Sequence, residues 1–141
     1  MSGNTPGSSC LGYNWVIGTT SGTITSGSWF QMNTGTATLT PGIWIVTAMA
    51  VFTGASVASP TNVIGAISTS SSSPDSYAGR VSIPCAGFTF SSTASGTVSF
   101  NITRVFALTA NQNIYFLMSG IFSLGTLTAN GSSGMAATGN G

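Results

Sequence analysis

Histidine, lysine and glutamate are absent from the 141 residues of this chain, and Asp75, Arg80 and Arg104 are its only charged side chains. Charged residues make up 2%, against about 25% in an average domain. Without histidine there is no Ser–His or Cys–His pair to activate a nucleophile. A single carboxylate side chain excludes the paired acids of a glycosidase within one subunit. Two cysteines and one aspartate fall short of the roughly four ligands of a zinc site. A phosphate-binding loop of the Gly-x-x-x-x-Gly-Lys type needs the missing lysine. A site shared between copies fares no better, because every copy lacks the same residue types. The chain is therefore expected not to be an enzyme and to hold no metal and no cofactor.

Other shortages narrow the partners and the compartment. A net charge of +1 sets up no basic field, so no nucleic-acid binding is expected. The longest apolar run, residues 43–52, is about half the ~20 residues of a membrane-spanning helix, so no membrane insertion is expected. Met1 is followed by Ser, Gly, Asn, Thr and Pro rather than a charged start and an apolar run, which predicts no signal peptide. Cys10 and Cys85 lie far apart; they could bridge, but an isolated pair reads better as two free thiols. Two glycosylation patterns, at Asn101 and Asn130, read as chance matches in a chain rich in Ser and Thr.

What is present is β-forming sequence cut by turns. Hydrophobic residues make up 42%, too many for a disordered chain of low net charge. Nineteen glycines, with Ser, Thr and Asn, interrupt every window of helical length, so no helix is expected. Apolar runs at 13–17, 28–32, 36–39, 43–52, 62–69, 81–90, 97–108, 113–119, 121–127 and 134–138 read as strands, with 18–27 a loop or a weak strand. Pro84 marks its run as an edge or broken strand. Thr40, Pro41 and Gly42 form a tight turn. In 97–108, Val98, Phe100, Ile102 and Phe106 share one face. Runs 43–52 and 113–119 are apolar on both faces, so each needs cover beyond one core. The expected organisation is a flexible arm over residues 1–12 and one all-β sandwich or jelly-roll domain over 13–141. A surface of hydroxyls and amides, with little charge repulsion, tolerates close packing against copies of itself.

Three segments carry a resemblance: LTPGIWIVTAMAVF at 39–52, VFALTANQNIYFLM at 105–118 and GMAAT at 134–138. In their order, a Pro-Gly turn with an apolar strand, a polar turn with a second and a short terminal strand, they resemble the C1q/TNF-like jelly roll in the form found as heads of phage and viral fibres and spikes. The resemblance covers roughly residues 28–138. It implies a homotrimer on the virion surface that binds a host receptor, a glycan among the candidates. The alternative is a structural capsid decoration or minor capsid protein that binds other virion subunits. No acidic calcium cluster carries over, because the chain has one carboxylate side chain.

On this reading the doubly apolar strands supply the subunit interface, with Trp44, Val46, Phe52, Arg104, Tyr115 and Leu117 as its candidates. Arg104 shares parity with Phe100 and Phe106. It is either a partner-facing cation, for an anion or a cluster of carbonyls, or a strand-end side chain whose stem packs while its head reaches solvent. Tyr13, Trp15, Trp29, Trp44, Tyr77 and Tyr115 are candidates for sugar stacking, though in strands such rings more often fill cores and interfaces. Tyr77 stands apart in the polar loop 70–79. Ser73, Asp75, Tyr77 and Arg80 form the candidate ligand-contact loop, with Asp75 and Arg80 expected to pair across it.

Overall fold

The computed structural model describes residues 13–17, 19–33, 37–55, 60–85 and 96–139. The expected arm at 1–12 and Cys10 lie outside them. Eleven strands make up the described fold: β1 (Tyr13–Ile17), β2 (Gly22–Ile24), β3 (Trp29–Gln31), β4 (Ala37–Leu39), β5 (Gly42–Ala55), β6 (Pro60–Ser68), β7 (Arg80–Pro84), β8 (Gly96–Leu108), β9 (Gln112–Phe122), β10 (Thr126–Ala129) and β11 (Gly134–Gly139). There is no helix among the described residues.

Every strand pairing among the described residues is antiparallel, and the strands form two sheets. β5 is the spine of the first. It pairs along its length with β8, from Gly42↔Leu108 to Gly54↔Gly96. Its other edge is shared by β11 (Thr47↔Ala136) and β10 (Thr53↔Thr128). β1 then pairs β11, and β2 pairs β10. In the second sheet β3 and β4 share one edge of β9, β6 pairs its other edge, and β7 closes beyond β6. With β1/β2, β3/β4 and β10/β11 each counted as one interrupted strand, two four-stranded layers remain. Their connectivity is that of a jelly roll.

Alternation builds the core between the layers. From β5 come Trp44, Val46, Ala48, Ala50 and Phe52; from β8, Ile102 and Phe106. They meet Ile114, Phe116 and Met118 of β9 and Val63 and Ile67 of β6. Fully burying one such large side chain contributes about 1.5–3 kcal/mol. Val98 and Phe100 pack against this core from the same face of β8. The buried Trp44 indole donates to the Thr40 carbonyl at 2.9 Å, across the Pro41–Gly42 turn.

Where two short strands share one long neighbour, the ladder has a gap, and a polar side chain fills each. Between β10 and β11, Val51 donates to the Ser133 hydroxyl at 2.9 Å and accepts from the Asn130 N–H at 2.8 Å. Between β3 and β4, the Asn33 carboxamide accepts from Phe116 N–H at 3.0 Å and donates to the Ile114 carbonyl at 3.3 Å. Both side chains are buried.

One expectation changes in detail. The run at 121–127 is broken: β9 continues to Phe122, residues 123–125 turn with Gly125 at φ 79°, and β10 begins at Thr126. The weak segment 18–27 contains β2. β7 lies at the edge of its sheet and ends at Pro84, as a residue without an N–H requires.

Candidate functional site

Residues 69–79 link β6 to β7 and carry the chain's one carboxylate side chain. Ser68, buried at the end of β6, organises them. Its hydroxyl donates to the Ser73 carbonyl at 3.1 Å and accepts from the Ser70 and Asp75 N–H groups at 3.0 and 3.1 Å. Asp75 is thereby aimed at Arg104 rather than at Arg80, which corrects the expected pairing. The two Arg104–Asp75 contacts measure 2.5 and 3.1 Å, and Thr69 donates to the same carboxylate at 2.6 Å. Partial burial alone would raise the Asp75 pKa. The hydrogen bonds from Arg104 and Thr69, with the charge of Arg104, outweigh it and hold the carboxyl well below the usual carboxylate range.

Arg104 also donates to the Ile67 carbonyl at 2.8 Å, and its guanidinium carbon lies 4.5 Å from the Phe106 ring centroid. It therefore ties β8 of one layer to β6 and the loop of the other. Gly79 makes room for it: φ is +72°, and a Cβ there would lie 2.7 Å from Arg104 Cβ and Cδ. Only a residue without a side chain suits both demands.

Tyr77 is 85% exposed. With Pro74, Asp75, Ser76 and Arg80 it lines a shallow depression of about 210 Å³. Three of the four expected contact residues thus come together; the fourth, Ser73, instead anchors the loop through its carbonyl. Trp29, one of the six aromatic candidates, joins this surface, although its sequence position in another strand gave no sign that it lies beside the loop. Phe30 packs on the core, so Trp29 projects from the outer face of β3; Val81 and Ile83 turn inward, so Arg80 projects outward. β3 and β7 are opposite edges of their sheet, roughly 14 Å apart at three strand spacings. Even so, the Arg80 guanidinium carbon lies 5.7 Å from the Trp29 ring centroid and 5.3 Å from that of Tyr77. The two side chains therefore reach across the outer face above Ala66 and Leu117.

The six candidate interface residues do not form one surface. Trp44, Val46 and Phe52 are buried between the layers, because the even-numbered face of β5 is the core face. Arg104 is engaged within its own chain. Leu117 is buried beneath the Arg80–Trp29 span, and half-buried Tyr115 shares its outer face. The apolar face of β5 that stays exposed is the opposite one. Ile43 (57% exposed), Ile45 (47%) and Met49 (43%) project there beside Val105 of β8 (62%). A groove of about 520 Å³ runs along it, lined by Thr47, Met49, Asn101, Thr103, Gly134 and Ala136 among others.

Cys85 is buried and free, and its thiol donates to the Ile83 carbonyl at 3.4 Å. Burial pushes its pKa up, with the Val63 backbone hydrogen bond acting the other way. Among the described residues no helix is long and apolar enough to cross a membrane. No family model matches this chain, and no curated protein matches it in sequence.

Proposed function

We propose that this chain is a non-enzymatic virion protein, the trimeric head of a fibre, spike or tail that attaches to a host receptor. The observation that carries the reading is the outer face of the β8–β5–β11 sheet. Four large apolar side chains stand exposed there, and none of the three charged residues projects from it. A face without charge meets a copy of itself with no like-charge repulsion. Covering four half-exposed apolar side chains contributes on the order of 1 kcal/mol each. The jelly-roll connectivity supports the C1q/TNF-like resemblance, and the exposed loop at 69–79, with Arg80 on the outer face of the other sheet, supplies an attachment surface that such an assembly leaves open.

Light scattering on the eluted protein tests this. A trimer of 14.1 kDa chains has a mass of about 42 kDa. Ile45→Arg places a cation on the assembly face without touching the core. It is expected to convert the trimer to a folded monomer with an unchanged circular dichroism spectrum. A wild-type monomer at micromolar concentration overturns the trimer. Binding to capsid particles and to no cell surface would replace attachment by a decoration role.

A further inference from the structure

Arg80 is the residue at which the net charge of this molecule is left uncompensated. Asp75 is the only carboxylate side chain in the sequence, and its two oxygens are held by Arg104 and Thr69. Arg80 has no ion-pair partner among the described residues. Its guanidinium lies over two aromatic rings, Tyr77 and Trp29. Contact with a ring uses the flat face of a guanidinium. The N–H donors lie in its plane, in the fork that matches a carboxylate. The same group lines the depression with Ser76 and the almost fully exposed Tyr77.

We propose that this depression binds an acidic saccharide. The ring carboxylate pairs with Arg80, and the C–H face of the sugar packs on Tyr77. Three features select this class. One free cation suits a ligand with one negative charge per ring; a nucleic acid needs several. An exposed aromatic face beside a hydroxyl suits a ring that is apolar on its faces and hydroxylated at its edges. The volume is below the ~300–1,000 Å³ of drug-sized pockets, which suits one sugar unit of a longer glycan. The loop is preset for this, because the buried Ser68 hydroxyl and the Arg104–Asp75 pair fix it before any ligand arrives. The inference gives the attachment reading a ligand class, and rests on that reading for its biological use only.

The test is a titration of the full chain with trigalacturonic acid and with its trimethyl ester, which keeps the shape and removes the charge, followed by amide chemical shifts at low salt. The acid is expected to bind at least tenfold more tightly than the ester, shifting the amides of residues 75–80. Arg80→Gln is expected to abolish the acid–ester difference, and Arg80→Lys to restore part of it. Tyr77→Ala, at an exposed position, is expected to weaken both ligands several-fold with no change in melting temperature. Equal binding of acid and ester, or undiminished discrimination in Arg80→Gln, overturns the proposal. So does sodium sulfate binding as tightly as the acid, since that marks a bare anion site. Light scattering on the same samples separates the two readings. A trimer that does not discriminate loses the site and keeps the assembly; a monomer that discriminates loses the trimer and keeps the site.

Discussion

Ser133 and Asn33 do the work that a missing strand residue would otherwise do. Each occupies the gap where a broken edge leaves a backbone group of the long neighbour without its ladder partner. A buried N–H that loses its acceptor costs about 1–3 kcal/mol. Ser133→Ala should therefore destabilise the fold by that amount in a urea titration, through Val51, although no apolar contact of note is lost. Ser133→Thr, which keeps the hydroxyl, should cost less. A second prediction concerns Gly79. Any side chain there meets a strained φ and the Arg104 stem together. Gly79→Ala is expected to cost about 1–3 kcal/mol, from backbone strain and local overpacking. A loss no greater than at Gly27, where φ is also positive but nothing lies within 4 Å, would refute the steric part.

At the scale of elements, one hydroxyl sets the shape of the 69–79 loop. Ser68→Ala is expected to leave both sheets intact while the Ser70 and Asp75 amides exchange with solvent at least tenfold faster, measured by hydrogen exchange. Most strands were legible in the sequence, because Pro-Gly, Thr/Ser/Gly clusters and alternation punctuate them clearly. The break at 123–125 was not, since Ile121, Phe122, Leu124 and Leu127 read as one apolar run and only Gly125 marks the turn. The choice of face on β5 was not legible either. Trp44/Val46/Phe52 and Ile43/Ile45/Met49 are both apolar, and parity alone does not say which layer lies opposite. The Arg104–Asp75 pair was closer to hand. An arginine on the core face of a strand needs a counter-charge, and this chain offers only one. Nearness in sequence pointed to Arg80 instead; the crossing of the two layers decided for Arg104.

For the whole molecule, so few titrating groups make stability nearly indifferent to pH. The Asp75 carboxyl is held below its ordinary 3.8, so its contribution is full above 3.8 and is lost as pH falls through the lowered value. The Cys85 thiol is pushed above its ordinary 9.0, so its neutral form stabilises the fold below 9.0 and that contribution fades at higher pH. With no histidine between them, the melting temperature is expected to be flat from 3.8 to 9.0. Asp75→Asn should lower stability at neutral pH by about 1 kcal/mol, the scale of a part-exposed pair, and should remove most of the acid-side fall. A wild-type melting temperature that drops between pH 7 and pH 5 would contradict this account.

The register Tyr13↔Gly139 also has a consequence for how the molecule is mounted. Both residues lie level with Trp44, near the start of β5, where the 40–41 and 109–111 turns and the 69–79 loop also lie. The start of β1 and the end of β11 therefore lie at one pole, the pole of the 69–79 loop. A stalk joined at either place would stand beside the 69–79 loop, and the opposite pole would point away from it. A ligand held by Arg80 would then be gripped at the flank near the mount, on the layer opposite the exposed β5 face, so that copies packed through that face would each present their site outward.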